Sequence, residues 1–289
     1  MATVLVTGAT GNVGSRAVDE LRDRGIPVRA FVRDPQRAAV VLADATELAH
    51  GDFAQVDSVR RAMDGIERVL LICGNDPRQV EFGTAAIDAA ARAGVRQIVM
   101  LSTIGAEAGS PTVFFDQHGR IEEYLHGSRI PGVVLRSSHL MSNLLGSVAT
   151  IRRAGRFFLP AGDARIAMID PRDVAAAAAA ALTTDGHDGR TYVLTGPEAI
   201  TYGDLARRLS GVVGRPIEFV DVPDEAALAG LAQAGLSPWL AEQVVAVFGA
   251  LRDGVNASTT DSVRELTGRE PRDIEDFARW SAPLLPDRP

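Results

Sequence analysis

A glycine-rich turn between a short apolar run and an amphipathic segment constrains the fold of this chain more than any other feature. Residues 3 to 7 form the apolar, β-branched run, and glycines follow at positions 8, 11 and 14. From Val13 to Leu21, apolar residues recur on one face of a predicted helix that ends at Gly25. Glycine lets the backbone approach a ligand closely, and the helix N-terminus directs unpaired N–H groups at a phosphate.

The turn therefore predicts a dinucleotide site, and a tight turn without a ligand is the alternative. The residues expected to contact the dinucleotide are Gly8, Thr10, Gly11, Asn12, Val13 and Gly14.

Strands and helices continue to alternate along the chain. Apolar strands are predicted at 28–32, 48–53, 68–73, 97–102, 132–136 and 192–195. Helices of ordinary length separate most of them, which indicates an α/β fold of the Rossmann type with a doubly wound parallel sheet. From Tyr202 the pattern is mostly helical. We predict a dinucleotide-binding core over residues 1–140 and a smaller, mainly helical C-terminal substrate subdomain over 141–289, interleaved with the core as one structural unit.

Composition excludes several classes of function. The 289 residues carry a net charge of −7 with scattered arginines, so nucleic acid is not an expected partner. One cysteine and scattered histidines predict neither disulfides nor a metal site. No apolar run is long enough for a membrane span, and the first strand leaves no room for a signal peptide, so we expect a cytoplasmic protein that is a monomer or a weak homodimer.

Further segments resemble a known family. The Gly-x-x-Gly-x-x-Gly spacing is similar to that of atypical or extended short-chain dehydrogenases. Residues 28–35, 51–53, 98–102 and 170–174 resemble the NmrA-like family, which contains the NmrA regulator and NADPH quinone reductases. The resemblance runs from Val4 to about Trp280 and implies a Rossmann fold that binds NAD(P). It says much less about the substrate.

The end of the second strand decides between the two nicotinamide cofactors. A carboxylate there would bond the ribose 2′-hydroxyl of NAD, whereas an arginine would pair with the 2′-phosphate of NADP. Asp34 has about the right spacing for NAD, but Arg33 matches the family position that binds the phosphate. We expect NADPH/NADP rather than NAD; a solvated turn ahead of Pro35 is the alternative.

The resemblance also assigns residues that line the cofactor. Asp52 and Phe53 are expected beside the adenine, and Ile72, Cys73 and Gly74 beside the adenosine ribose. Cys73 is interpreted as a buried, unreactive thiol, because nothing beside it in sequence would lower its pKa.

The usual proton-delivery pair of short-chain dehydrogenases is missing. Those enzymes use a tyrosine and a lysine four residues later, but all 30 basic residues here are arginine. Phe114 and His118 occupy the two places. We predict that His118 is a catalytic residue that contacts the nicotinamide ribose or delivers a proton; a helix histidine without a role is the alternative. Ser102 is the second catalytic candidate, because its hydroxyl could donate a hydrogen bond to a substrate carbonyl. The alternative is that a serine at the end of a strand is an ordinary turn residue.

The segment Arg136 to His139 replaces the Arg-Pro-Gly usual in relatives. Thr103, Ser137 and Ser138 are expected near the nicotinamide, and His139 faces either solvent or the substrate pocket. Adjacent residues on a helix do not face one another, so Glu122 and Glu123 are interpreted as solvated.

These residues lead to a functional hypothesis. Quinones and phenol-flanked ketones stabilise the developing oxyanion themselves, so they need no protein tyrosine. We predict an NADPH-dependent ketoreductase or quinone reductase that acts on a bulky aromatic substrate, as enzymes of antibiotic biosynthesis do. Residues 225–251 are expected to form an apolar lid over that substrate; the alternative is that they are part of the core. The alternative functions are a non-enzymatic NADP-binding redox sensor, which the missing pair favours, and an isomerase.

Overall fold

The computed structural model describes residues 3–42 and 46–282, and nine strands and twelve α-helices lie within those ranges. The strands are β1 (Val4–Val6), β2 (Val28–Val32), β3 (Glu47–His50), β4 (Arg68–Leu71), β5 (Gln97–Thr103), β6 (Gly132–Ser137), β7 (Arg156–Leu159), β8 (Thr191–Leu194) and β9 (Glu218–Asp221). Seven of them form one parallel sheet in the order β3-β2-β1-β4-β5-β6-β8. The predicted Rossmann-type fold is confirmed.

Helices cover both faces of this sheet. They are α1 (Gly14–Asp23), α2 (Pro35–Val41), α3 (Val56–Ala62), α4 (Gln79–Ala93), α5 (Val113–Gly127), α6 (Val148–Ala154), α7 (Pro171–Thr183), α8 (Tyr202–Val213), α9 (Asp224–Gln233), α10 (Pro238–Arg252), α11 (Ser262–Thr267) and α12 (Ile274–Ser281). A 3₁₀ segment, Met141–Ser147, precedes α6. None of the helices in the described ranges combines the length and the apolar character needed to cross a bilayer.

The order of the strands places the site. Strand β1 has β2 on one side and β4 on the other, so the chain reverses its direction of winding between β1 and β4. Parallel strands end at the same edge of a sheet, and a crevice opens there at the point of reversal. The glycine turn after β1 and the loops after β4, β5 and β6 therefore border one crevice.

The C-terminal half contributes to this layer as well. Strand β8 pairs with β6, and α7 packs on the same side of the sheet as α1. Helix α7 contains seven consecutive alanines, Ala175 to Ala181, and is almost entirely buried, because these small side chains let it approach both the sheet and α1. Asp170 caps its N-terminus by accepting a hydrogen bond from the Arg172 N–H, at 2.8 Å.

The sequence reading of the C-terminal half missed one element pair. Strands β7 and β9 form a separate two-stranded parallel sheet, although the region after Tyr202 had been predicted as helical. Each strand has only four residues, and only Phe157 on them is fully buried. Such short runs carry no usable alternation of apolar and polar residues, so they were not visible in the sequence.

Candidate functional site

Close packing of glycines shapes the turn after β1. Gly8 has a φ of 60°, and its carbonyl accepts a hydrogen bond from the Gly11 N–H at 2.9 Å. A Cβ on Gly14 would lie 2.2 Å from the Gly8 oxygen, so no larger residue fits there. The first turn of α1 is thereby pressed directly onto the end of β1.

Unpaired donors line the open side of this turn. The N–H groups of Asn12 and Val13, just before α1, have no acceptor among the residues in the described ranges. They stand at the positive end of the helix dipole, where an anion is favoured. The Thr7 hydroxyl joins the turn to the next strand by donating to the Ile72 carbonyl at 3.0 Å and accepting from its N–H at 2.7 Å. Ile72, Cys73 and Gly74 thus lie across the crevice from the glycine turn.

The two residues at the end of β2 have separate tasks. The Asp34 carboxylate caps α2 by accepting from the N–H groups of Gln36 at 2.9 Å and Arg37 at 3.1 Å. Arg33 and Arg37 are exposed, and neither side chain has a bonded partner within the part of the chain that the structure describes. Both capping bonds end on Oδ1, which holds the carboxylate at the start of α2, whereas two free guanidinium groups stand beside it and suit a phosphate. Arg37 had not been singled out in the sequence, although its spacing of four from Arg33 was a usable signal.

Aromatic rings form the wall beyond these arginines. Phe53 packs edge-to-face on Phe31, at 5.5 Å between ring centroids, and lies nearly parallel to Phe82, at 6.1 Å. The Asp52 carboxylate accepts from the Ala54 N–H at 2.8 Å and so fixes its loop. Burial raises the pKa of the Cys73 thiol to about 12, which keeps it protonated and unreactive.

An ion pair between a buried carboxylate and a partly exposed arginine lies at the ends of β5 and β6. Glu122, on α5, accepts from Arg136 Nη2 at 2.6 Å and from its Nε at 3.1 Å, and the Ser102 hydroxyl donates to the same carboxylate. Glu122 is only 3% exposed. The interpretation of Glu122 as a solvated residue was therefore wrong: the carboxylate faces the sheet, while its neighbour Glu123 faces solvent. In this arrangement the Ser102 proton is already engaged, so it is not free for a substrate carbonyl.

His118 lies one turn earlier on the same helix. Its Nε2 is 3.2 Å from the side-chain nitrogen of Gln79, which is fully buried at the start of α4. The neighbouring Gln117 donates to the carbonyls of Asp76 and Pro77, at 2.9 and 3.3 Å, and so holds the loop between β4 and α4. The Nδ1 of His118 is buried without a partner among the described residues.

Phe114, His118 and Glu122 follow one another at intervals of four, so they share one face of α5. Phe114 meets Trp239 of α10 edge-to-face at 5.8 Å. Toward the site, the helix thus presents the apolar Phe114, then the neutral polar His118, and then the charged Glu122.

The remaining hydroxyl residues at the strand ends are engaged in local bonds. Ser137 donates to the Ser102 carbonyl at 3.4 Å, and Thr103 donates to that of Ile104 at 3.3 Å. Ser138 accepts from Asn256 at 3.0 Å and is buried. These residues hold the edge of the sheet together. No group of histidine, cysteine and acidic side chains suited to a metal ion occurs within residues 3–42 and 46–282.

Comparison with known proteins places this geometry among reductases. The profile of the NmrA-like family matches residues 1–278. The chain is 40% identical over 282 residues to a (4-alkanoyl-5-oxo-2,5-dihydrofuran-3-yl)methyl phosphate reductase of Streptomyces griseus, covering 96% of both chains. It is 32% identical over 279 residues to an NAD(P)H azoreductase of Xenophilus azovorans, covering 96% of this chain and 98% of that one. The structure of the NADPH-dependent quinone oxidoreductase QOR2 of Escherichia coli, complexed with NADPH, superposes with a TM-score of 0.84 at 28% identity, covering 95% of this chain and 98% of that one.

The buried carboxylate generates a test of stability. Replacing Glu122 by alanine leaves Arg136 without its partner and the Ser102 hydroxyl without its acceptor. Because Arg136 is 34% exposed and water can solvate it once Glu122 is removed, we expect the free energy of unfolding to fall by about 1–3 kcal/mol, as for buried hydrogen-bonding groups left without a partner. Glu123→Ala is the matched control, because that neighbour is exposed, and it should change stability by no more than about 0.5 kcal/mol. Urea unfolding of the two variants measures both; equal midpoints would contradict the assigned role.

His118 generates a test of pH dependence. Burial lowers its pKa from 6.5 to about 4, so the folded ring stays neutral while the unfolded chain takes up a proton near pH 6.5. The stability that depends on neutral His118 is complete above pH 6.5 and is lost progressively as the pH falls toward 4. We expect His118→Gln to flatten the pH dependence of the unfolding free energy in that window. His126→Gln, on the exposed side of the same helix, should leave the slope unchanged.

Proposed function

This chain belongs to the NmrA-like family, and from that premise we propose that it is an NADPH-dependent reductase of bulky aromatic carbonyl compounds or quinones. It is an oxidoreductase, as are the relatives that it matches over nearly its whole length. Relatives whose names specify quinones or azo compounds support an aromatic acceptor. The family and the class of reaction are secure, and the choice of a large carbonyl or quinone acceptor is our proposal.

The observation that carries the proposal is the different engagement of the acidic and basic side chains that follow β2. Oδ1 of Asp34 caps α2, while the side chains of Arg33 and Arg37 stand free beside it. Together with the unpaired N–H groups of Asn12 and Val13, they form two anion sites at one edge of the sheet. A pyrophosphate at the glycine turn and a 2′-phosphate at the arginines are the groups of NADPH that fit them.

The side chains around the crevice fit a reaction without a tyrosine–lysine pair. Bound NADPH supplies a hydride to the carbonyl carbon of the acceptor, and the oxygen receives a proton from water. His118 is assigned to the cofactor side, because Gln79 ties it to the loop that borders the ribose. The hydrogen bond from Ser102 to Glu122 fixes the end of β5. We therefore assign Ser102 to positioning of the strand end that borders the substrate and not to proton donation.

Helices α9 and α10 are proposed to cover the substrate. No residue of α9 is buried, and the Asp224–Arg252 ion pair, at 3.0 Å, ties its start to the end of α10. Trp239 packs on Phe114, and Phe248 packs on His139, so α10 contacts residues on both sides of the crevice. Such a pair of helices can enclose an apolar ring system. The missing tyrosine–lysine pair favours a sensor, but the relatives matched over nearly the whole chain are named as reductases, and we give these the greater weight.

The proposal is tested by incubating the protein with NADPH and a panel of 1,4-naphthoquinones, anthraquinones and hydroxyaryl ketones while following absorbance at the nicotinamide band. We expect turnover with polycyclic members of the panel. Trp239→Arg should raise KM for the acceptor while leaving NADPH affinity unchanged, since it charges the lid alone. If NADPH binds but no acceptor oxidises it, the reductase proposal fails and a sensor becomes the better reading.

Cofactor selectivity provides a separate prediction. Arg33→Ala and Arg37→Ala each remove one guanidinium from the proposed 2′-phosphate site, and we expect each to weaken NADPH binding about 10- to 100-fold, as for a lost charge-assisted hydrogen bond. Binding of NADH, which has no 2′-phosphate, should not change. Arg92→Ala is the control, because Arg92 lies in the last turn of α4, at the opposite edge of the sheet. Equal losses for NADH and NADPH would refute the assignment. Fluorescence titration of the wild-type protein and the three variants with each nucleotide measures the eight affinities.

A further inference from the structure

Two histidines border the crevice from opposite sides. His118 is bonded to Gln79 and belongs with the helices of the dinucleotide-binding core. His139 lies two residues beyond the end of β6, where Ser137 pairs with Thr103 at the end of β5. Its ring is half-buried and is held by residues of the C-terminal half. His139 is thus placed on the side of the crevice where a substrate, rather than the nucleotide, would lie.

Two donors converge on one nitrogen of the His139 ring. The hydroxyl of Tyr202 is 3.0 Å from Nε2, and the side-chain nitrogen of Asn143 is 3.2 Å from the same atom. Tyr202 is buried, and no other described residue offers an acceptor for its O–H. Because a buried hydroxyl makes its hydrogen bond, Tyr202 donates to Nε2. Nε2 is therefore the acceptor, and the proton of the neutral ring is on Nδ1.

The Nδ1 proton has no partner within the described part of the chain. The nearest polar atom that the structure places beside it is the Asn143 nitrogen at 3.5 Å, which is itself a donor. Burial lowers the pKa of His139 to about 4, so the ring is neutral at pH 7 and holds a single N–H. Phe248 of α10 packs against the ring at 5.8 Å between centroids and prevents it from turning over freely. The Nδ1–H is thus a donor for which the described residues supply no acceptor.

The position of Tyr202 is fixed in turn by the start of α8. Thr201 accepts a hydrogen bond from the Asp204 N–H at 3.0 Å, and the Asp204 carboxylate accepts from the Thr201 N–H at 3.2 Å. This reciprocal capping holds Tyr202 at the first position of the helix. The ring of Tyr202 also packs on Phe157 and Phe219.

We propose that His139 is the residue that polarises the substrate carbonyl, through a hydrogen bond from Nδ1–H to its oxygen, and that Tyr202 is a positioning residue that selects this tautomer. The inference rests on the proposed reductase function. As the hydride adds to the carbonyl carbon, the π electron pair moves onto oxygen, where the neutral imidazole N–H stabilises it until water supplies the proton; NADPH is oxidised to NADP⁺. A neutral donor placed before the reaction needs no reorganisation when the charge develops.

The chain contains a matched control pair. The hydroxyl of Tyr192 is 2.8 Å from Nδ1 of His187, whose Nε2 is 2.7 Å from the Thr184 hydroxyl. This second tyrosine–histidine pair lies before and at the start of β8, at the amino edge of the sheet. It has the same chemistry but does not face the crevice, so Tyr192→Phe should leave kcat unchanged.

The tautomer is tested without any reaction, by ¹⁵N–¹³C correlation spectra of the histidine rings at pH 7.5, with His139 assigned by its loss in His139→Phe. We expect the wild-type ring to carry its proton on Nδ1, and Tyr202→Phe, which removes one oxygen, to give a mixture of tautomers. A wild-type ring protonated on Nε2 overturns the proposal. The His139→Phe variant serves only to assign the signal. The positioning role of Tyr202 is decided by the spectrum of Tyr202→Phe, and an unchanged tautomer in that variant would contradict it.

Catalysis is tested with 1,4-naphthoquinone and an ortho-hydroxyaryl ketone as probes. We expect His139→Phe, which keeps the ring packing on Phe248, to lower kcat about 100-fold, as for the loss of one oxyanion donor, and to leave NADPH affinity unchanged. Tyr202→Phe should lower kcat less, and Tyr192→Phe not at all. If wild-type protein reduces a probe and folded His139→Phe keeps the same kcat, the role of His139 is rejected. If wild-type protein reduces neither probe, while binding NADPH, the reductase proposal itself fails.

Discussion

The contact between Gly14 and the carbonyl of Gly8 is the constraint on which the site depends. With a Cβ excluded at Gly14, α1 starts directly at the end of β1, and the N–H groups of Asn12 and Val13 open into the crevice. The Thr7 hydroxyl ties the same strand end to Ile72. From the other side, Asn12 donates to Ser142 of the 3₁₀ segment at 3.2 Å. One tight turn thus positions both the phosphate site and the first residues of the C-terminal half.

A second consequence concerns the C-terminal helix. Arg16, one turn into α1, and Arg172, at the start of α7, both lie over the ring of Trp280, at 4.7 and 5.2 Å. Arg172 is also paired with the fully buried Asp170 at 2.6 Å. Each cation–π contact contributes about 0.5–2 kcal/mol, so α12 is held against the same helix that the glycine turn positions. The C-terminal half is therefore anchored on the dinucleotide-binding core at two separate places.

The sequence was sufficient for features that depend on local spacing. The glycine turn and the parallel sheet follow from short-range patterns, and the fold was predicted correctly from them, whereas the choice of Arg33 came from the resemblance to the family. Features that depend on distant pairing were not visible. Glu122 reads as one of two surface acids, because its partner Arg136 lies on another element, and Tyr202 gives no sign of reaching His139 across 63 positions. The β7–β9 pair was missed because strands of four residues show no usable alternation of apolar and polar residues.

These distant pairings explain how the site can lack lysine and still be ordered. In a tyrosine–lysine site the cation is mobile on a long stem and serves both the ribose and the proton donor. Here the face of α5 separates those tasks: Phe114 meets the lid, His118 meets the loop beside the ribose, and Glu122 fixes Arg136 and Ser102 beneath the strand ends. The buried Glu122 carboxylate is costly to leave unpaired, so it favours the one arrangement in which the partly exposed Arg136 and the Ser102 hydroxyl both reach it. The charge that other short-chain dehydrogenases place next to the substrate is used in this chain to hold the floor of the crevice. In our proposal, a neutral donor at its edge, His139, is then sufficient for acceptors that delocalise their own negative charge.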